Sequence, residues 1–126
     1  MSRQRKPQAL DSSTAWLEGF GGPVTVCDGA GIILYMNEAA SRWYRRYGGR
    51  ERVGKNLLNC HPEPSRAQVA AMLGHHSLHA YSIERDGKRY VVYQTSWSQN
   101  GAPAGLVELI LEMPEDHTGA MRRNLT

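Results

Sequence analysis

The sequence predicts an α+β domain in which a β-hairpin and a three-stranded antiparallel meander flank a helical middle. Three observations predict it. There are five β candidates, the last three alternating with period two. Asp86-Gly87, the best short hairpin signal in the chain, marks one join between those three, and a loop containing Asn100-Gly101 the other. Between residues 37 and 74, apolar residues recur at helical spacing. At 126 residues, 40% apolar and 21% charged, the chain suits one folded unit with a thin core. It excludes a large two-domain enzyme and a disordered or fibrous chain.

The opening residues are polar and basic, with Arg3, Arg5 and Lys6. Asp11 to Phe20 then place Trp16, Leu17 and Phe20 on one side of a short amphipathic helix, with Asp11 or Ser12 as its cap. Gly21-Gly22-Pro23 stops it. Val24 to Cys27, the turn Asp28-Gly29-Ala30-Gly31, and Ile32 to Met36 form the hairpin. Asn37 is the expected cap of the next helix, accepting from the amide of Ala39 or Ala40, and its loss is expected to cost about 1 kcal/mol. Ala40, Trp43, Tyr44 and Tyr47 form that helix's buried stripe, and Gly48-Gly49 ends it.

A polar, basic connection leads to Leu57 and Leu58. Cys60-His61-Pro62 then opens a second helix, with Pro62 in its first turn, Val69, Met72 and Leu73 on its apolar side and Gly74 at its end. The meander consists of Leu78 to Arg85, Tyr90 to Trp97 and Ala104 to Met113. In its last strand Val107, Leu109, Leu111 and Met113 share one face, and Leu106, Glu108, Ile110 and Glu112 share the other. The fully apolar face is expected to contribute to the interior, and the mixed face to be covered by something amphipathic. Residues 114–126 read as a polar tail.

The ordered residues Asp28-x-x-Gly31-x-Ile33-x-Tyr35-x-Asn37-x-Ala39-Ala40, then Gly48, Gly54-Lys55, His61-Pro62-Glu63 and Asp86-Gly87, resemble the PAS domain family over residues 22–113. The resemblance implies a five-stranded antiparallel sheet with helices packed on one face and a small pocket between the two layers. It also implies a signalling role through ligand occupancy or dimerisation. The chain then divides into an N-terminal basic segment and helix (1–21), the PAS domain (22–113) and the tail (114–126).

On this reading a small apolar ligand is expected among Trp43, Tyr44, Leu58, Cys60, Val69, Met72, Tyr81, Tyr93, Trp97 and Val107. Trp16, Leu17, Phe20, Leu106 and Ile110 are expected to form an interaction surface for a second copy or a partner signalling protein. If the chain is complete, residues 22–113 leave no room for an output domain, so output is expected in trans.

The alternative is a haem or redox sensor using Cys60 and His61, a soft thiol beside an imidazole at a helix mouth. No flavin is expected, because the family's flavin photosensors carry Asn-Cys-Arg-Phe-Leu-Gln where Asn59-Cys60 continues as His61-Pro62-Glu63-Pro64. Glu63-Pro64-Ser65-Arg66 is similar to a segment of the family's haem sensors, but Val69 stands where their axial histidine would fall. His75, His76 and His79 follow a helix-ending glycine and read as a solvated turn, not a metal site.

No nucleophile elbow, phosphate loop, His-Glu-x-x-His or Cys-x-x-Cys occurs, so no enzyme is expected. The formal charge is +3, and Arg42, Arg45, Arg46, Arg50, Arg52 and Lys55 read as the wet side of a helix, not as a nucleic-acid surface. Two cysteines make no disulfide framework, and no apolar run approaches the roughly 20 residues of a membrane span. A cytoplasmic protein with no membrane segment is therefore expected.

Overall fold

A computed structural model of the chain describes residues 13–115, except for the side chain of Cys60. The basic start, the expected caps Asp11 and Ser12, and the tail beyond residue 115 lie outside the described residues. Strands β1 (Val24–Asp28), β2 (Ile33–Met36), β3 (Leu78–Arg85), β4 (Lys88–Gln99) and β5 (Ala102–Glu112) form one antiparallel sheet in the order β2-β1-β5-β4-β3. All five expected strands are present. Both meander turns are two residues long, with Asp86 and Gly87 at φ 53° and 78° and Asn100 and Gly101 at φ 53° and 82°. Left-handed backbone at both central positions matches the twist of the flanking strands, which is why Asp-Gly and Asn-Gly stand there.

The helices are shorter than their apolar spacing suggests. Helix α1 is only Ala15–Glu18, with no side-chain cap bond from Thr14. Helix α2 (Glu38–Trp43) does not run on to Tyr47 but gives way to 3-10 turns at Arg45–Tyr47 and Gly49–Arg52. There the chain doubles back so tightly that a Cβ on Gly49 would lie 2.8 Å from the carbonyl oxygen of Ser41. A third 3-10 turn spans Leu57–Cys60. Helix α3 (Ser65–Met72) starts three residues after Pro62, leaving His61 extended before it. Among the described residues no helix is long and apolar enough to cross a membrane.

The core lies between the helices and one face of the sheet, built from Cys27, Ile33 and Met36 of the hairpin, Ala40 and Tyr44 of the α2 region, Leu57, Val69 and Met72, and Leu106. This corrects the expectation for β5. Leu106 and Ile110, expected at an interface, are only 3% and 2% exposed. Register gives the reason: Leu106 lies opposite Cys27 and Ser96, and Ile110 opposite Val92, on the face the helices cover. Because side chains alternate, Val107, Leu109 and Leu111 then point away from the helices. Thr95 pairs with Val107, Tyr93 with Leu109 and Trp97 with Gly105, so Tyr93, Trp97 and Val107 belong to the outer face and not to a pocket under the helices.

Candidate functional site

Asn37 positions the start of the helical layer. Its Oδ1 accepts from Ala40 N and from Val24 N, both at 2.9 Å. Its Nδ2 donates to Leu17 O at 3.0 Å and Gly22 O at 2.9 Å. The residue is fully buried. The expected cap is therefore one of four bonds, which together tie α1, the Gly22 loop, β1 and α2 at one point.

On the core face the register lines up His79, Gln94, Glu108 and Thr25 as neighbours across β3, β4, β5 and β1. Directly opposed residues have Cβ atoms about 5 Å apart, so their side chains interact. Glu108, the acid on the mixed face, is buried and accepts from three groups. The Tyr44 hydroxyl donates to Oε1, and Gln94 Nε2 donates to Oε2 at 2.9 Å. His61 Nε2 lies 3.4 Å from Oε2, and its Nδ1 lies 3.1 Å from Leu57 O. Both ring nitrogens thus face oxygen acceptors, a pattern only the doubly protonated imidazole satisfies with two donors. Burial opposes charge on both partners, but their hydrogen bond and mutual attraction outweigh it. His61 is held above its ordinary value and Glu108 below.

Beside this row a cleft of about 170 Å³ opens between the start of α3 and strands β3 and β4. Pro64, Ser65, Gln68, His79, Tyr81 and Gln94 line it. Burial and the Glu108 charge push the Tyr81 hydroxyl up, while hydrogen bonds from Ser65 and Gln94 act in the other direction. The His79 and Tyr81 rings lie 5.1 Å apart, giving the cleft one aromatic wall.

The residues expected to surround a ligand are thus dispersed. Tyr81 lines the cleft. Tyr44, Val69 and Met72 are core, with Leu58 packed against it. Trp43 sits edge-on to Tyr90 at 4.8 Å under the Arg85 guanidinium, beside a separate groove. Tyr93, Trp97 and Val107 are on the outer face, where the Trp97 indole N–H donates to Cys27 O at 2.8 Å across the side-chain-free Gly105. The side chain of Cys60 lies outside the described residues. Among the expected interface residues, Trp16 is 66% and Phe20 39% exposed, and Leu17 is half-buried. The residues sequence reasoning missed are Glu108 and Gln94. Their signal was a single acid between Leu106 and Ile110, a pattern that also describes a wet sheet face.

His61 does not fit a haem ligand as placed. Its Nε2 faces Glu108 and its Nδ1 faces Leu57 O, so neither nitrogen offers a lone pair to iron. Cys27 is a buried free thiol pushed up to about 11 by burial, which leaves it protonated and unreactive at neutral pH. Among the described residues no group of three or more His, Cys, Asp or Glu is placed to hold a metal ion. Several arginines are engaged structurally: Arg42 pairs with Glu38, Arg50 with Glu18, Arg52 donates to Asn56 O, and Arg46 lies over the Tyr47 ring.

No family model matches the chain, and no curated protein does. Solved structures do. The PAS domain of an HTR-like protein from Haloarcula marismortui is 14% identical, with a TM-score of 0.56 over 80% of this chain and 88% of its own. The PAS domain of BvgS from Bordetella pertussis is 15% identical, with a TM-score of 0.56 over 82% and 85%. The Aer2 receptor from Vibrio cholerae, described as a dual PAS-haem oxygen sensor, is 18% identical, with a TM-score of 0.52 over 78% and 99%.

Proposed function

Because the chain has the PAS fold, we propose that it is a sensory signal-transduction module that takes a small molecule in the cleft between α3 and the sheet and passes the result to a protein partner. The observation that carries this is the cleft itself. It adjoins a buried Tyr44-Glu108-His61-Gln94 network that reaches α2, the segment before α3 and two strands. A ligand that shifts Gln94 acts on Glu108 directly, and through it on elements far apart in sequence. Occupancy thereby biases the population of two packings of the helical layer. The reading is one of binding, because the lining offers hydrogen-bonding side chains, Ser65, Gln68 and Gln94, beside the aromatic wall of His79 and Tyr81. Native mass spectrometry of freshly purified protein is expected to reveal a small non-covalent adduct that leaves on mild activation. A bare chain that also takes up nothing from a metabolite extract counts against the reading.

The output surface we propose is the outer sheet face with α1, engaging a second copy or a partner signalling protein. Phe20 and Leu111 both flank Gly22 at the end of the Val107 and Leu109 side of β5, and Phe20, Leu111 and the α1 residue Trp16 are exposed. Size exclusion at rising concentration is expected to show a dimer that Trp16→Glu weakens by at least tenfold in Kd. A strictly monomeric chain, or one indifferent to Trp16→Glu, removes the homodimer.

A haem or redox sensor built on Cys60 and His61 is the second reading. As a haem ligand His61 would have to free Nε2 from Glu108 and shed its proton there, while Nδ1 keeps Leu57 O, so the observed ion pair favours the first.

A further inference from the structure

Gln94 carries information about what the cleft binds. The residue is 3% exposed, and its Oε1 has no hydrogen-bond partner among the described residues. Its Nε2 donates to Glu108 Oε2 at 2.9 Å. Turning the amide over would set Oε1 against the carboxylate, so Glu108 fixes which end of Gln94 points where. A buried acceptor left without a donor is costly, and in native structures such a group calls for a partner. This one is held without a donor by a neighbour that is itself fully engaged, and the residue that carries it lines the cleft.

The remaining walls narrow the chemistry. Pro64, Ser65, Gln68, His79, Tyr81 and Gln94 include no Lys, Arg, Asp or Glu. A charged ligand entering here would lose water and gain no counter-charge. The volume of about 170 Å³ is close to that of a cavity that accepts a single six-membered ring. The tilted His79 and Tyr81 rings offer such a ring a flat face.

Resting on the sensory reading above, we propose that this cleft selects a small, uncharged, single-ring molecule carrying an N–H or O–H donor, and that the donor bonds to Gln94 Oε1, which is closed to solvent in this structure and turns toward the cleft to meet it. Glu108 acts as the positioning residue, since it sets the orientation of the amide. The ligand need not touch the buried ion pair to be sensed, because any pull on Gln94 is passed to Oε2 of Glu108.

A matched pair of probes tests this on the full chain. 2-Pyridone presents a ring N–H, and N-methyl-2-pyridone is the same ring with that donor blocked. Titration followed by amide NMR is expected to shift the Gln94 side-chain NH2 and the backbone of β3 and β4 with 2-pyridone, and to give at least tenfold weaker binding with the N-methyl form. Gln68→Phe, at an exposed position on α3, is expected to abolish binding by filling the cleft while leaving the melting temperature unchanged. Equal binding of the two probes, or shifts mapping away from the cleft, overturns the acceptor assignment. So does finding only an ordered water on Oε1, with no response to either probe. The sensory reading is judged separately by the native adduct. An adduct from the purified protein together with equal binding of the probes sinks this inference alone.

Discussion

Asn37→Ala is expected to destabilise the protein by about 3–5 kcal/mol, against the ~1 kcal/mol of an ordinary helix cap. The difference comes from the three bonds that are not the cap. With Asn37 gone, Val24 N loses its Oδ1 acceptor, Gly22 O loses its Nδ2 donor and Leu17 O keeps only its backbone donors, in a place without water access to the side chain. Asn37→Asp separates the contributions. It keeps acceptors for Val24 N and Ala40 N but sets a carboxylate against two carbonyl oxygens, so it is expected to be no better than alanine. Asn37→Ser retains a cap acceptor and is expected to recover about 1 kcal/mol of the loss. Urea denaturation curves measure all three. A loss of only about 1 kcal/mol for Asn37→Ala would mean that the loop at Gly22 and the α1 segment do not depend on this side chain.

Glu108→Ala is expected to cost about 3–5 kcal/mol, because it leaves His61, Tyr44 and Gln94 without their shared acceptor inside the core. Its pH signature is more specific than its size. Glu108 is held below its ordinary value, so its contribution is present above the ordinary carboxylate range of about 4.3 and is lost as pH falls through the lowered folded value. His61 is held above its ordinary value of about 6.5. Its contribution is full below that pH and is lost as pH rises through the raised folded value. The pair therefore stabilises most between about pH 4.3 and 6.5. The gap between wild type and Glu108→Gln, measured by denaturation, is expected to be wider near pH 5.5 than near pH 8.5. A gap independent of pH would mean that His61 is neutral in the folded protein, donating from one nitrogen only.

These two residues show how far the sequence reaches. Asn37 announced itself as a cap because a cap is local: an Asn, a helical stripe after it and an amide three residues on. Its other three bonds run to residues 13, 15 and 20 positions away, and no local pattern contains them. Glu108 was visible as the odd acid among Leu106 and Ile110, but its meaning was inverted. Acid on a strand face usually marks the wet side, and here three long-range partners make burial tolerable.

The sequence by itself determined the five strands, the tight turn at Asp86-Gly87, the cap at Asn37 and the antiparallel class. All of these depend on period, propensity and turn chemistry within a few residues. The join at Asn100-Gly101, expected as a longer loop, is a two-residue turn because β4 and β5 run on to Gln99 and from Ala102. Tertiary structure alone decided which face of β5 is inside, and with it every site assignment that depended on that face. Alternation yields two faces without saying which is covered, since a shift of one residue exchanges them. Contacts between Glu108 and Tyr44, 64 positions away, and between Glu108 and His61, 47 away, made the choice.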